Sequence, residues 1–168
     1  MTLQQLNQLH PAQLRHELSR CCGSSAWVEQ MTEAFPALDT ESLLKAAERV
    51  WFACSEEDWR EAFSHHPKIG DTHLLREKFA ATGQWAGEEQ SSVAQTPDAV
   101  LRSLAEGNRR YENKFGYIFI VFATGKTAAD MLALLETRLH NTASDEIRIA
   151  MEEQNKITQL RLQKLLSA

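Results

Sequence analysis

The chain has 168 residues, a length that suits one domain around a single core. With 18 basic against 23 acidic residues its net charge is −5, which argues against a nucleic-acid partner, since such binders usually carry a basic face. Composition is ordinary for a globular protein, 43% hydrophobic and 24% charged. Cys21, Cys22 and Cys54 form no C-x-x-C pair, so neither a disulfide framework nor a zinc ribbon is indicated, and a reducing compartment fits. The opening "MTLQQLNQLHPAQL" lacks a basic region followed by an apolar run, and the longest apolar stretch, "YIFIVFA" (117–123), is too short to span a bilayer. These features predict a cytoplasmic chain with no membrane partner.

Helix signals dominate in chain order. Pro11 opens a run with Leu14 and Leu18 on one face that ends before Gly23. Ser24 or Ser25 caps a short helix carrying Trp27, Val28 and Met31. Asp39 or Thr40 caps the next, with Leu43, Leu44, Ala47 and Val50 at helical spacing. Ser55 with Asp58 resembles a capping box opening a helix through Trp59, Ala62 and Phe63, which Pro67 stops at His66.

The stretch "DTHLLREKFAATG" (71–83) reads as helical, and a looser stretch, "QWAGEEQSSVAQ", follows. Thr96 and Pro97 supply a cap and a first-turn proline for a long helix to Phe115, stopped by Gly116. "YIFIVFATG" is β-prone in composition, but a lone strand has nothing to pair with, so a buried extended segment or a short helix is expected. Thr127 caps a helix through Met131, Leu134, Leu135 and Leu139, and Ser144 caps the last. The expectation is an all-α, single-domain bundle of about eight helices over residues 1–168.

Two tempting motifs fail. "GKT" (125–127) lacks the second glycine of a phosphate-binding loop, because Ile120 stands where that glycine belongs. The histidines lack the spacing of a metal site: His65 and His66 are adjacent, so their side chains diverge on regular structure. No metal site is expected.

Three places suggest chemistry. His66 precedes Pro67, which holds the imidazole on a rigid turn, and histidine is the usual proton donor or acceptor near neutral pH. The plainer alternative is a helix-end histidine facing the terminal carbonyls. Glu89 and Gln90 lie in an irregular, glycine-containing segment and together could bind a polar heterocycle or orient a histidine; the alternative is a solvated loop. Arg161 sits in "KITQLRLQKLL", inside an apolar stripe with Ile157 and Leu165. An isolated buried charge is costly, so it should meet a carboxylate or a ligand anion, unless it snorkels at the stripe's edge. Arg138 has a similar setting but lies near a helix end, where an interaction with the helix dipole suffices.

Taken together, "LNQLHPAQLRHELSRCCGSSAWVEQM", "DWREAFSHHPKIGD", "GEEQ", "YENKFGYIFIVFATGKT", "LETRLHN" and "KITQLRL" resemble the 2-oxo-4-hydroxy-4-carboxy-5-ureidoimidazoline (OHCU) decarboxylases of urate breakdown, from about Leu6 to Leu162. The resemblance implies an all-α fold, a homodimer, a small-molecule substrate and no metal or organic cofactor. It places the catalytic histidine at His66 and a substrate contact at Pro67. It maps the Glu-Gln segment onto Ala86, Gly87, Glu88, Glu89 and Gln90, with Glu89 joining His66 in the proton chemistry. It maps a backbone-contact segment onto Phe119, Ile120, Val121, Phe122 and Ala123, and a late arginine onto Arg161. Ala86 departs from the pattern, since a serine is expected there, which removes a hydroxyl contact. The implied activity is cofactor-free decarboxylation to (S)-allantoin. Two competing functions are a helical interaction module, which needs an exposed apolar patch and no enclosed polar pocket, and a histidine-dependent hydrolase of a cyclic ureide.

Overall fold

The computed structural model describes residues 1–66 and 98–167. Among the described residues there are eight helices and no strand, so the expected all-α class holds. They are α1 (Leu3–Asn7), α2 (Pro11–Cys21), α3 (Ser25–Glu33), α4 (Thr40–Ala53), α5 (Glu56–Ser64), α6 (Asp98–Phe115), α7 (Ala128–Arg138) and α8 (Ala143–Ser167). No helix among them is long and apolar enough to cross a membrane. The chain divides into two compact units, one of Met1–His65 with Met151–Ala168, the other of His66–Ala150. The helix predicted over 71–83 and the Thr96-Pro97 cap lie outside the described residues.

In the first unit the helices start where short polar side chains satisfy the orphan N–H groups of a first turn. Ser24 Oγ accepts from the Trp27 N–H at 3.2 Å, and Asp39 Oδ1 accepts from the Ser42 N–H at 2.7 Å. Ser55 and Asp58 form the expected capping box: Asp58 N–H donates to Ser55 Oγ at 3.3 Å and Ser55 N–H to Asp58 Oδ2 at 2.9 Å. Pro11 takes the first position of α2, and the His10 ring caps it by accepting from the Ala12 N–H. The short helix α1 was not foreseen. It has its own box, in which Thr2 N–H donates to Gln5 Oε1 at 2.8 Å and Gln5 N–H to Thr2 Oγ1 at 3.2 Å.

The faces so presented form the first unit's core: Leu14 and Leu18 from α2, Trp27 and Met31 from α3, Leu43, Ala47 and Trp51 from α4, Ala62 and Phe63 from α5. Helix α3 is central, packing on α2, α4 and α5. Both fully buried indoles satisfy their N–H groups, Trp27 on the Ala47 carbonyl at 3.0 Å and Trp51 on the Met151 carbonyl at 2.8 Å.

In the second unit α6 packs on α7, with Leu101, Leu104, Tyr111 and Phe115 of α6 buried. Gly107 allows the close approach, because a Cβ there would lie 2.5 Å from Leu135 Cδ2. Gly116 ends α6 in the left-handed region, at φ 79°. The 117–123 stretch is neither helix nor strand, so the short-helix alternative does not hold there, and Tyr117 and Ile120 are buried in it. Thr127 and Asp130 box the start of α7. The start of α8 departs from expectation: Thr142, not Ser144, caps it, its Oγ1 accepting from the Asp145 N–H at 3.2 Å. Ser144 already lies within the first turn of α8.

Candidate active site

The residues singled out by sequence fall into three groups. His66 lies one residue beyond the C-cap of α5. His65 closes that helix as its C-cap, with its N–H on the Ala62 carbonyl at 3.2 Å, so the chain leaves helical geometry at the step before Pro67. His65 is exposed and His66 half-buried. The His65 side chain lies against Gly23, where a Cβ would come within 2.6 Å of His65 Cβ. Gly23 therefore leaves room for the end of α5. Pro67, Ala86, Gly87, Glu88, Glu89 and Gln90 lie outside the described residues.

The second group is Phe119–Ala123, in the second unit with His66. With no ladder of its own, this segment is held from outside. The Ile120 carbonyl accepts from Arg138 Nη1 at 2.8 Å, the Phe122 carbonyl from Lys126 Nζ at 2.7 Å, and the Ala123 carbonyl from the Lys126 N–H at 3.1 Å.

Arg138 is therefore not a helix-end residue serving the dipole, as its position suggested. Its side chain is 7% exposed and pairs with Glu146, which is fully buried, through Nε at 2.7 Å and Nη2 at 2.6 Å to Oε1. Tyr111 donates its hydroxyl to the same carboxylate oxygen, and Asn141 Nδ2 donates to Oε2 at 2.8 Å. The guanidinium lies 4.5 Å from the centre of the Phe119 ring, which Tyr111 meets edge-on. Burial pushes the Tyr111 phenol well above its ordinary pKa; the Arg138 charge opposes this and the Glu146 carboxylate reinforces it. The phenol thus stays protonated and keeps donating.

The third place is Arg161, in the first unit. It is half-buried on α8, and Nη1 donates to the Cys21 carbonyl at 3.3 Å. It has no carboxylate partner among the described residues and lines a cleft of about 440 Å³ with Glu17, Arg20, Cys21 and Lys164. Burial, and then the charge of Arg161, hold the Lys164 ammonium below its ordinary pKa. Arg20 pairs with Glu17 at 2.9 Å, and Arg161 and Lys164 add two further positive side chains to the lining, a balance that suits an anion.

The cysteines add no nucleophile. All three are buried free thiols, and burial pushes Cys21 up to about 11 and Cys22 to about 12. A thiol pKa raised on folding stabilises the native state below the unfolded value and loses that contribution as pH rises through the folded one. Stability should therefore fall between about pH 9 and pH 12, and native Cys21 and Cys22 should resist iodoacetamide at neutral pH. Urea melts across that range, with mass-spectrometric counting of alkylated sites, check both outcomes. Rapid native alkylation of either residue would contradict the burial argument.

Comparison with known proteins bears on what this arrangement serves. The OHCU decarboxylase family model matches residues 7–163. The chain belongs to the OHCU decarboxylase family. It is 41% identical over 150 residues to the uric acid degradation bifunctional protein TTL of Arabidopsis thaliana, covering 88% of this chain and 45% of that one. It is 25% identical over 169 residues to the 2-oxo-4-hydroxy-4-carboxy-5-ureidoimidazoline decarboxylase of Haloferax volcanii, covering 100% of this chain and 98% of that protein. Against the bifunctional relatives from Arabidopsis and Bacillus, this OHCU decarboxylase family member spans less than half of their length. Among solved structures it resembles an OHCU decarboxylase crystallised in the presence of (S)-allantoin, with a TM-score of 0.74 and 39% identity, over 90% of this chain and 98% of that one.

Proposed function

We propose that this protein is an OHCU decarboxylase, a carboxy-lyase that converts 2-oxo-4-hydroxy-4-carboxy-5-ureidoimidazoline to (S)-allantoin in urate degradation. The observation that carries the reading is the family match through residues 7–163, which reaches into both compact units. We read the whole chain accordingly, as one catalytic domain that acts as a cytoplasmic homodimer.

The substrate supplies its own electron sink. Its C4 carries the hydroxyl and the carboxylate, beside a ring C=N bond at C5. When the bond to carbon dioxide breaks, its electron pair forms C4=C5, and the C=N pair takes up a proton at nitrogen. Protonation at C5 and loss of the C4 hydroxyl proton then give the C4 carbonyl of the allantoin ring, an imide carbonyl beside the ring nitrogen. Nothing in this sequence demands a metal. The protein has to hold the ring, move protons and deliver the C5 proton to one face.

In this scheme His66 relays the protons, with Glu89 orienting it or binding the hydroxyl or ureido group. Pro67 and the Ala86–Gln90 segment line the site, and Ala86 makes no hydroxyl contact. Backbone groups of Phe119 to Ala123 read the ring's amide edges, and the Ile120, Phe122 and Ala123 carbonyls are each held by one donor of the protein. Arg161 holds an anionic group. It accelerates the reaction only so far as it binds the transition state better than the ground state.

Carbon dioxide release tests the reading. Added to freshly generated urate-oxidation intermediate, the protein should speed release above the spontaneous rate, whereas a ureide hydrolase would consume substrate without doing so. Dialysis against a strong chelator should leave the rate unchanged. Loss of activity restored by zinc or another divalent ion would contradict the cofactor-free mechanism.

A further inference from the structure

We infer that Arg138 is a positioning residue for the reaction, fixing the Phe119–Ala123 segment through the Ile120 carbonyl while Glu146 and Tyr111 hold the guanidinium in place. The inference rests on the reading that this segment contacts the substrate.

Three features carry it. First, the segment has no regular secondary structure, so nothing in its own backbone sets where its peptide groups point. Second, the donor on the Ile120 carbonyl is a buried, charged fork whose Nε and Nη2 are held by Glu146, so it cannot swing without breaking several bonds. The same guanidinium faces the Phe119 ring, so it touches two adjacent residues of the segment, one through the backbone and one through the side chain. Third, the carboxylate that holds it is itself held, by Tyr111 of α6 and by Asn141 of the turn before α8. The Arg138 network thus refers the segment to three helices at once. A binding group needs such support, since a displacement of about 1 Å can cost a reaction ~10²-fold.

A buried ion pair is not by this fact a source of stability, and apolar residues of similar volume often replace one without loss. That separates a positioning role from a structural one. In Arg138→Lys the ammonium can pair with Glu146, but as a point charge it cannot also hold the Ile120 carbonyl in a fixed fork. In the triple variant Tyr111→Phe/Arg138→Met/Glu146→Leu the network is removed altogether.

Both variants, checked by thermal melting, should fold. Each should show kcat/KM for (S)-allantoin formation lowered by ~10–100-fold, with a raised KM and a lower enantiomeric excess. A folded Arg138→Lys with wild-type KM and wild-type enantiomeric excess overturns the inference. So does a folded triple variant with wild-type kinetics. If neither variant folds, the network is structural and the positioning role is refuted. The wild-type chain is assayed alongside: if it forms no (S)-allantoin, the decarboxylase reading fails and this inference with it. An active wild type with unaltered variants counts against the inference alone.

Discussion

His66→Ala loses stereoselective decarboxylation by ~10²–10⁴-fold, the usual worth of a general acid–base group, while His65→Ala keeps most of it. The two imidazoles are neighbours in the chain but differ in setting. His65 is the exposed C-cap of α5, and its role there is carried by its N–H on the Ala62 carbonyl, which alanine retains. Alanine also retains the Cβ that packs on Gly23. His66 is half-buried and stands directly before Pro67, outside the helix. Neither imidazole belongs to the apolar core, so both variants should melt near the wild-type temperature. The assay follows (S)-allantoin, because spontaneous decay of the intermediate gives a racemate. A dead His65→Ala beside an active, folded His66→Ala would move the proton relay to the other histidine.

Trp51→Ala destabilises the protein by about 3–5 kcal/mol, the range for truncating a large buried aromatic. Trp51 is fully buried, and its indole N–H donates to the Met151 carbonyl, 100 residues away in sequence but in the same unit. The substitution empties the volume of an indole and strips a buried carbonyl of its donor. Trp51→Phe retains much of the packing but still loses the hydrogen bond, so it should fall between wild type and Trp51→Ala. Urea unfolding followed by circular dichroism measures both. A loss below about 1 kcal/mol for Trp51→Ala would mean that the site collapses around the smaller side chain.

The fold was legible where its causes are local. Ser24, Asp39, Ser55 and Thr127 cap helices because each has a short polar side chain one turn from the N–H it accepts from, and such spacing is visible in a single sequence. Helix α1 escaped because five residues are too few to show a period, although Thr2 and Gln5 carried the capping-box signal. Ser144 was expected to cap α8, whereas Thr142 does so, because hydroxyl side chains two residues apart are both good caps and only backbone geometry decides between them.

Arg138 escaped for a different reason. Its partners Glu146 and Tyr111 lie 8 and 27 residues away, and its carbonyl acceptor lies 18 away. No spacing rule links residues of three helices and a segment without regular structure. Within the candidate site, the apolar setting of Arg161 predicted a carboxylate or ligand anion as its partner; among the described residues it meets the Cys21 carbonyl and lines a cleft, with Leu162 and Thr158 buried beside it on α8.

The most direct measurement adds the purified protein to freshly generated urate-oxidation intermediate and follows optical activity. The account predicts rapid growth of the (S)-allantoin signal, ahead of spontaneous decay and abolished in His66→Ala. Allantoin that accumulates at the uncatalysed rate, with no optical activity, would contradict it.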